Sequence, residues 1–385
     1  MPKSIRFLFI IAGILVLAVL GLYITDNEHV LKALPSTYLI GRTGPDIDNM
    51  RFFEQRAIEP GAPQPWEEAP DYGTYILTEA DSTALEKYRT TSFAVFRRGR
   101  LVFEAYWEDA ETTPSNSFSM AKSITSILVG MAIEDGLISN VKDRASEYLE
   151  ELKGTDRAGI TIEQLLQMTS GIGFDEHYGD PFGFMAKAYY GDELREKTFG
   201  YPAVHEPGTR WEYLGGNTLL LSYIVEEVTG KSLSDYASEK LWKPLGAESR
   251  AYWTYDPSSG VERAYCCFYS HARDFARLGE LFLCQGNWNG EQLISPYWVE
   301  ASWTPCMVPD VTGQPVDFYG YQWWMAEIDG MEVDYMRGIL GQYVFVIPEK
   351  EMVVVRLGHE RSEERLDGLP MDVYEFLEIA HRISP

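Results

Sequence analysis

The sequence predicts an α+β fold, an antiparallel sheet flanked by helices with a mainly helical subdomain inserted into it. Three observations lead there. Strand-like runs fall in two distant groups, 92–107 and 319–357; the stretch 137–310 between them reads as helices joined by long loops; and the chain closes on an amphipathic helical pattern. Strands so far apart must pair across the helical block to make one sheet. With 385 residues, 45% of them hydrophobic and 14% aromatic, the chain can bury a sizeable core.

The elements follow in order. Lys3 and Arg6 precede 18 uncharged residues, Phe7 to Ile24, which as a helix reach about 27 Å and nearly span a bilayer. The basic residues hold the N-terminus in the cytoplasm, so residues 1–26 read as an inner-membrane anchor and the rest as exported to the periplasm. A cleaved signal peptide, giving a secreted protein, is the competing reading; there is no Ala-x-Ala site, and Val19-Leu20-Gly21 is a marginal substitute. Residues 27–75, with Gly44-Pro45, Pro60-Gly61 and Pro63-Gln64-Pro65, read as a linker wrapping onto a domain at 76–385.

Within that domain, Phe93–Phe96 and Leu101–Phe103 form a β-hairpin about Arg98-Gly99. Ile124, Ile127, Leu128, Met131 and Ala132 recur at helical spacing until Asp135-Gly136. Thr161-Ile162-Glu163-Gln164 opens a short helix. Leu219–Val228 and His271–Cys284 are periodic again, with Gly230 and Gly286 as C-terminal caps. Strands return at Tyr321–Ala326, Glu332–Met336, Gln342–Ile347 and Met352–Leu357, and Asp372–Ile383 is the closing helix.

Net charge is −25, with 58 acidic against 33 basic residues, which excludes nucleic acid as a natural partner because phosphate repels such a surface. Cys266 and Cys267 are adjacent while Cys284 and Cys306 stand alone. No disulfide framework emerges from that spacing, and buried free thiols are expected. The six histidines are scattered without a His-Glu-x-x-His pair, so no metal is expected.

Ser119-Met120-Ala121-Lys122 carries the chemistry. Its hydroxyl and amine stand one helical turn apart, on one face, at the mouth of an apolar helix. A serine hydroxyl needs a base beside it, and a lysine in a dry pocket can be that base. Taken alone the pair also fits a helix start capped by Ser117 or Ser119 with a solvated Lys122. Further on, Pro207-Gly208-Thr209 turns the chain and delivers Tyr213 just before Gly215-Gly216-Asn217, where a third proton-handling group is needed.

Several segments occur in a fixed order: Ser119-Met120-Ala121-Lys122-Ser123, Met168-Thr169-Ser170-Gly171, Pro207-Gly208-Thr209 with Tyr213, Trp242-Lys243-Pro244-Leu245-Gly246, Asp274-Phe275-Ala276-Arg277-Leu278-Gly279 and Gly338-Ile339-Leu340-Gly341-Gln342. On these the chain resembles the β-lactamase-related serine hydrolases, and among them the 6-aminohexanoate-dimer hydrolase branch. The resemblance covers about residues 75–360. It implies a β-lactamase/transpeptidase-like fold, a small amide or ester substrate, and an acyl-enzyme formed without a cofactor. By it, Ser119 is the nucleophile, Lys122 its activator, Tyr213 the general base and later acid, and the backbone N–H groups of Ser119 and Ile339 the oxyanion hole. Tyr178, Asn217, Trp324, Arg337 and Gly338 are the substrate-binding candidates. Trp323 and Trp324, as strand neighbours, face opposite sides, so at most one lines the pocket.

Two departures bear on substrate. The family's Tyr-x-Asn is Tyr213-Leu214-Gly215 here, and the Lys or His of its third motif is Met336. Both point from antibiotics towards amides and esters. The alternatives are a D-Ala-D-Ala carboxypeptidase or weak β-lactamase, and a non-catalytic envelope sensor or scaffold. The absence of Gly-x-Ser-x-Gly disfavours an α/β-hydrolase.

Overall fold

The computed structural model describes residues 3–385. Helix α1 (Lys3–Ile24) has no buried residue and is followed closely by the short α2 (His29–Ala33). The domain is organised on a seven-stranded sheet. Its strands are β1 (Glu67–Glu68), β2 (Thr90–Arg97), β3 (Arg100–Tyr106), β4 (Trp324–Ile328), β5 (Met331–Gly338), β6 (Gln342–Ile347) and β7 (Met352–Gly358), in the spatial order β4-β5-β6-β7-β2-β3-β1. All pairs are antiparallel except β1 with β3. The β2–β3 hairpin turns on Arg98 and Gly99, at φ 54° and 69°. The pairing of β7 with β2 closes the sheet across the helical block.

Alternation along the strands makes two cores. Ala94, Phe96, Val344, Val346, Val353 and Val355 face the helical side, where α4 (Met120–Glu134) and α7 (Ala272–Leu283) pack. Phe93, Val95, Tyr343, Phe345 and Val354 face the other side, covered by α3 (Glu79–Lys87) and α8 (Met371–Ile383). On that second face Thr78 and Asp81 form a reciprocal capping box, and Arg382 donates to the same carboxylate. The site lies on the first face. There α4 is buried nearly all round and packs against α6 (Gly215–Thr229), as a central helix does.

Three sequence expectations are revised. The expected strand from Tyr321 begins only at Trp324, because Gln322 takes φ 63° and binds its amide to Thr218 and Leu165. Residues 27–75 contribute Gln55–Ile58 to a smaller four-stranded sheet with Ala251–Thr254, Phe268–Ser270 and Ser115–Asn116, and β1 to the large one. Buried free thiols are not what is found: Cys266 and Cys267 are bonded to each other, Cys284 is exposed and Cys306 half-buried. Framework spacing concerns bridges between distant segments and says nothing about adjacent residues, which here close a bridge within one turn.

Candidate active site

Ser119 is the N-cap of α4, yet its side chain makes no capping bond, so the hydroxyl is left for other partners. Lys122, 1% exposed, donates to Ser119 Oγ at 3.0 Å and to the carbonyl of Tyr265 at 3.2 Å. Its ammonium nitrogen also lies 4.6 Å from the centre of the Tyr213 ring. Among the described residues no carboxylate is within ion-pair distance of it. The alternative of a solvated lysine is thereby removed: the amine is held by a hydroxyl, a carbonyl and aromatic faces.

Tyr213 stands on the turn before α6 and packs on Trp324, with ring centroids 5.2 Å apart, and on Trp211 and Tyr319. Strand β5 ends beside Ser119 because residue 338 is glycine. A Cβ there would sit 2.3 Å from the Ser117 carbonyl oxygen. This close approach brings Ile339 to the lining of the same cavity as Ser119, and among the described residues neither backbone N–H is engaged with another backbone or side-chain group. The cavity over Ser119 measures about 370 Å³. Ser119, Tyr178, Ile339 and Tyr265 line it, and the Tyr265 hydroxyl is buried without a partner.

The other sequence candidates separate into three groups. Tyr178 lies at the cavity mouth, 55% exposed, donating to Glu176 Oε1 at 2.8 Å. Trp324 and Arg337 border a different groove, with the guanidinium 4.8 Å from the Trp324 ring centre. Alternation on β5 is the reason: Met336 turns to the helical core, fully buried, and Arg337 to the opposite face. Asn217 does not reach the cavity. It is fully buried, accepting from Ser170 Oγ at 2.6 Å and donating to the Met168 sulfur. Trp323 stacks on Phe282 at 4.3 Å, away from the site, while Trp324 supports Tyr213.

Glu176 was invisible in sequence. Its Oε2 accepts from the Gly215 N–H at 2.7 Å, at the N-terminus of α6. Burial raises its pKa, opposed by the charge of Lys122 and by the Gly215 hydrogen bond. A lone acidic residue in a loop carries no signal, and only the fold brings it to the serine–lysine pair. Tyr265 was missed for the same reason, since it acts through its backbone carbonyl.

A serine hydroxyl at the head of a buried helix, with a buried amine donating to it and a cavity over it, is an arrangement that a serine hydrolase can use. The chain belongs to the beta-lactamase family, whose model matches residues 79–370. It is 30% identical over 292 residues to 6-aminohexanoate-dimer hydrolase of Paenarthrobacter ureafaciens, covering 71% of this chain and 73% of that protein. A Bacillus anthracis structure provisionally named as a 6-aminohexanoate-dimer hydrolase superposes with a TM-score of 0.70 at 22% identity, over 88% of this chain and 93% of its own. A family VIII carboxylesterase structure matches with a TM-score of 0.65 at 18% identity, over 82% and 98% of the two chains. At those identities the two structures speak for the fold alone.

Proposed function

We propose that the protein is a membrane-anchored, periplasm-facing hydrolase that cleaves small linear amides or esters through a Ser119 acyl-enzyme. The observation that carries this is the 3.0 Å contact between Lys122 Nζ and Ser119 Oγ, at a serine that lines a cavity together with Ile339. Ser119 Oγ attacks the substrate carbonyl as its proton passes to Tyr213 in its phenolate form, while the Lys122 ammonium, donating to the same Oγ, lowers the proton affinity of the serine. The oxyanion is received by the Ser119 and Ile339 N–H groups, which typically contribute about 3–4 kcal/mol per donor. Collapse breaks the C–O or C–N bond, and the leaving group takes its proton through Tyr213. Water then adds to the acyl carbon, regenerates the serine hydroxyl and releases the acid.

A fluorophosphonate probe should label Ser119, as located by mass spectrometry. An unlabelled, folded protein would instead support the scaffold reading. Burial of Met336 and the absence of a side chain at Gly215 remove the polar groups that hold a β-lactam carboxylate and amide in the family. Each missing charge-assisted contact costs roughly 1.5–3 kcal/mol, so cephalosporin turnover should be about 10²–10⁴-fold poorer than that of a short ester. Equal kcat/KM for the two would favour the β-lactamase alternative. Removal of residues 1–26 should move the protein from the membrane to the soluble fraction, and persistent membrane association would sink the anchor.

A further inference from the structure

The wall of the Ser119 cavity facing away from α4 comes from the segment directly after the apolar N-terminal helix. His29, Val30 and Ala33 of α2, then Thr37 and Tyr38, line it together with Met185, Ala186, Tyr189 and Tyr190 of helix α5 (Phe184–Tyr190), which packs against α2. The contact is pinned. His29 Nε2 lies 2.7 Å from the Pro181 carbonyl, in the loop that carries Glu176 and Tyr178, and Lys197 pairs with Asp26 at 3.4 Å. Four residues separate Ile24 at the end of α1 from His29. Even fully extended, that link holds the cavity wall within about 18 Å of the end of α1. If α1 spans a bilayer, the catalytic cavity lies against its surface, whatever the tilt of the domain.

The rim next to this wall is apolar and exposed. Tyr38 is 66% exposed and its neighbour Leu39 75%, while in the loop after Glu176 the side chains of Tyr178 and Phe182 are 55% and 53% exposed. Aromatic and aliphatic side chains left in water beside a membrane anchor are suited to the headgroup boundary. Inside, the lining is mostly apolar. It includes no lysine or arginine, and its single carboxylate, Asp180, accepts the Phe182 N–H at 2.9 Å. An anionic substrate tail would find no lysine or arginine there, whereas an alkyl tail would be covered.

We infer that this cavity is an acyl-chain pocket completed by the anchor-proximal segment, and that it takes esters or amides with an apolar tail, drawn from a bilayer. The inference rests on the hydrolase reading above and narrows its substrate. The chemistry is unchanged: Ser119 takes the acyl group, the alcohol or amine leaves with a proton, and water releases the fatty acid.

The test uses the full chain in nanodiscs with p-nitrophenyl acetate, octanoate and 6-aminohexanoate. The kcat/KM should rise from acetate to octanoate by up to about fourfold per buried methylene. Octanoate should also exceed 6-aminohexanoate. Ala33→Trp should lower the octanoate-to-acetate ratio by at least about tenfold, the loss of about two buried methylenes; Ala186→Trp does the same from α5 if the first variant fails to fold. Acetate turnover with no rise towards octanoate, or with a preference for the amine tail, overturns the inference while leaving the hydrolase reading standing. Absence of both acetate turnover and Ser119 labelling removes the hydrolase reading itself. Octanoyl ester carried in the same bilayer should turn over faster than ester dissolved in bulk, and equal rates would overturn the bilayer as source.

Discussion

Lys122 and Arg277 are both 1% exposed, both lie in early turns of buried helices, and both belong to segments on which the family resemblance rests. Their surroundings differ. Arg277 donates to Asp274 Oδ1 at 3.0 Å, Glu248 Oε1 at 3.0 Å and the carbonyls of Leu245 and Gln64. Asp274 in turn accepts the backbone N–H groups of Glu248 and Ser249, at 2.7 and 2.9 Å. Lys122 has a hydroxyl, one carbonyl and two ring faces, and no carboxylate. A buried cation surrounded by fixed anions holds structure together. One that donates to a hydroxyl with no anion beside it lowers the proton affinity of that hydroxyl, which is what a nucleophile requires.

The comparison breaks first at Arg277. Arg277→Met strands the buried Asp274 carboxylate, Glu248 being half-buried and still paired with Arg273, and should cost about 3–5 kcal/mol in denaturant unfolding, while the folded fraction keeps its turnover. Lys122→Ala should do the reverse, costing less stability but lowering p-nitrophenyl ester turnover by at least about 10²-fold, roughly 2.7 kcal/mol. Ser119→Ala and Tyr213→Phe should match it. Double variants should lose little more than single ones, since the three act as a unit; near-additive losses would argue that they do not.

Glu176 sharpens the contrast, as the carboxylate that acts on Lys122 from a distance. Its raised pKa means that the negative charge near the pair disappears as pH falls through a value above the ordinary glutamate range. Glu176→Gln should lower neutral-pH turnover by about tenfold and flatten the acid limb of the kcat/KM profile. An acid limb unchanged in the variant would assign that limb elsewhere.

Asp334 is the reverse of Asp274: a buried carboxylate with no ion pair among the described residues, its pKa raised to about 8 by burial and by Glu332. Between the unfolded value of about 3.9 and the folded one, the native state binds the extra proton, so stability falls as pH rises through that window. At neutral pH Asp334→Asn should therefore stabilise the fold by about 1 kcal/mol, and by less near pH 4. A variant equally stable at both pH values would show that Asp334 is solvated.

By itself the sequence determined what depends on local order. The strand alternation at Val344–Ile347 and Val353–Leu357, the apolar helix after Ser119, the cap at Gly230 and the one-turn spacing of Ser119 to Lys122 are all short-range, fixed by the periods of strand and helix. Distance across the chain decided the rest. Gly338 admits Ile339 to the serine only because β5 passes Ser117, and strand parity, not motif position, turns Met336 inward and Arg337 away. Asn217, two residues past the position of the family's asparagine, became a core residue, because Ser170 and Met168 lie against it in the folded chain. Glu176, the Tyr265 carbonyl and the His29–Tyr38 wall had no signal in the sequence, since each acquires its role from a neighbour far along the chain.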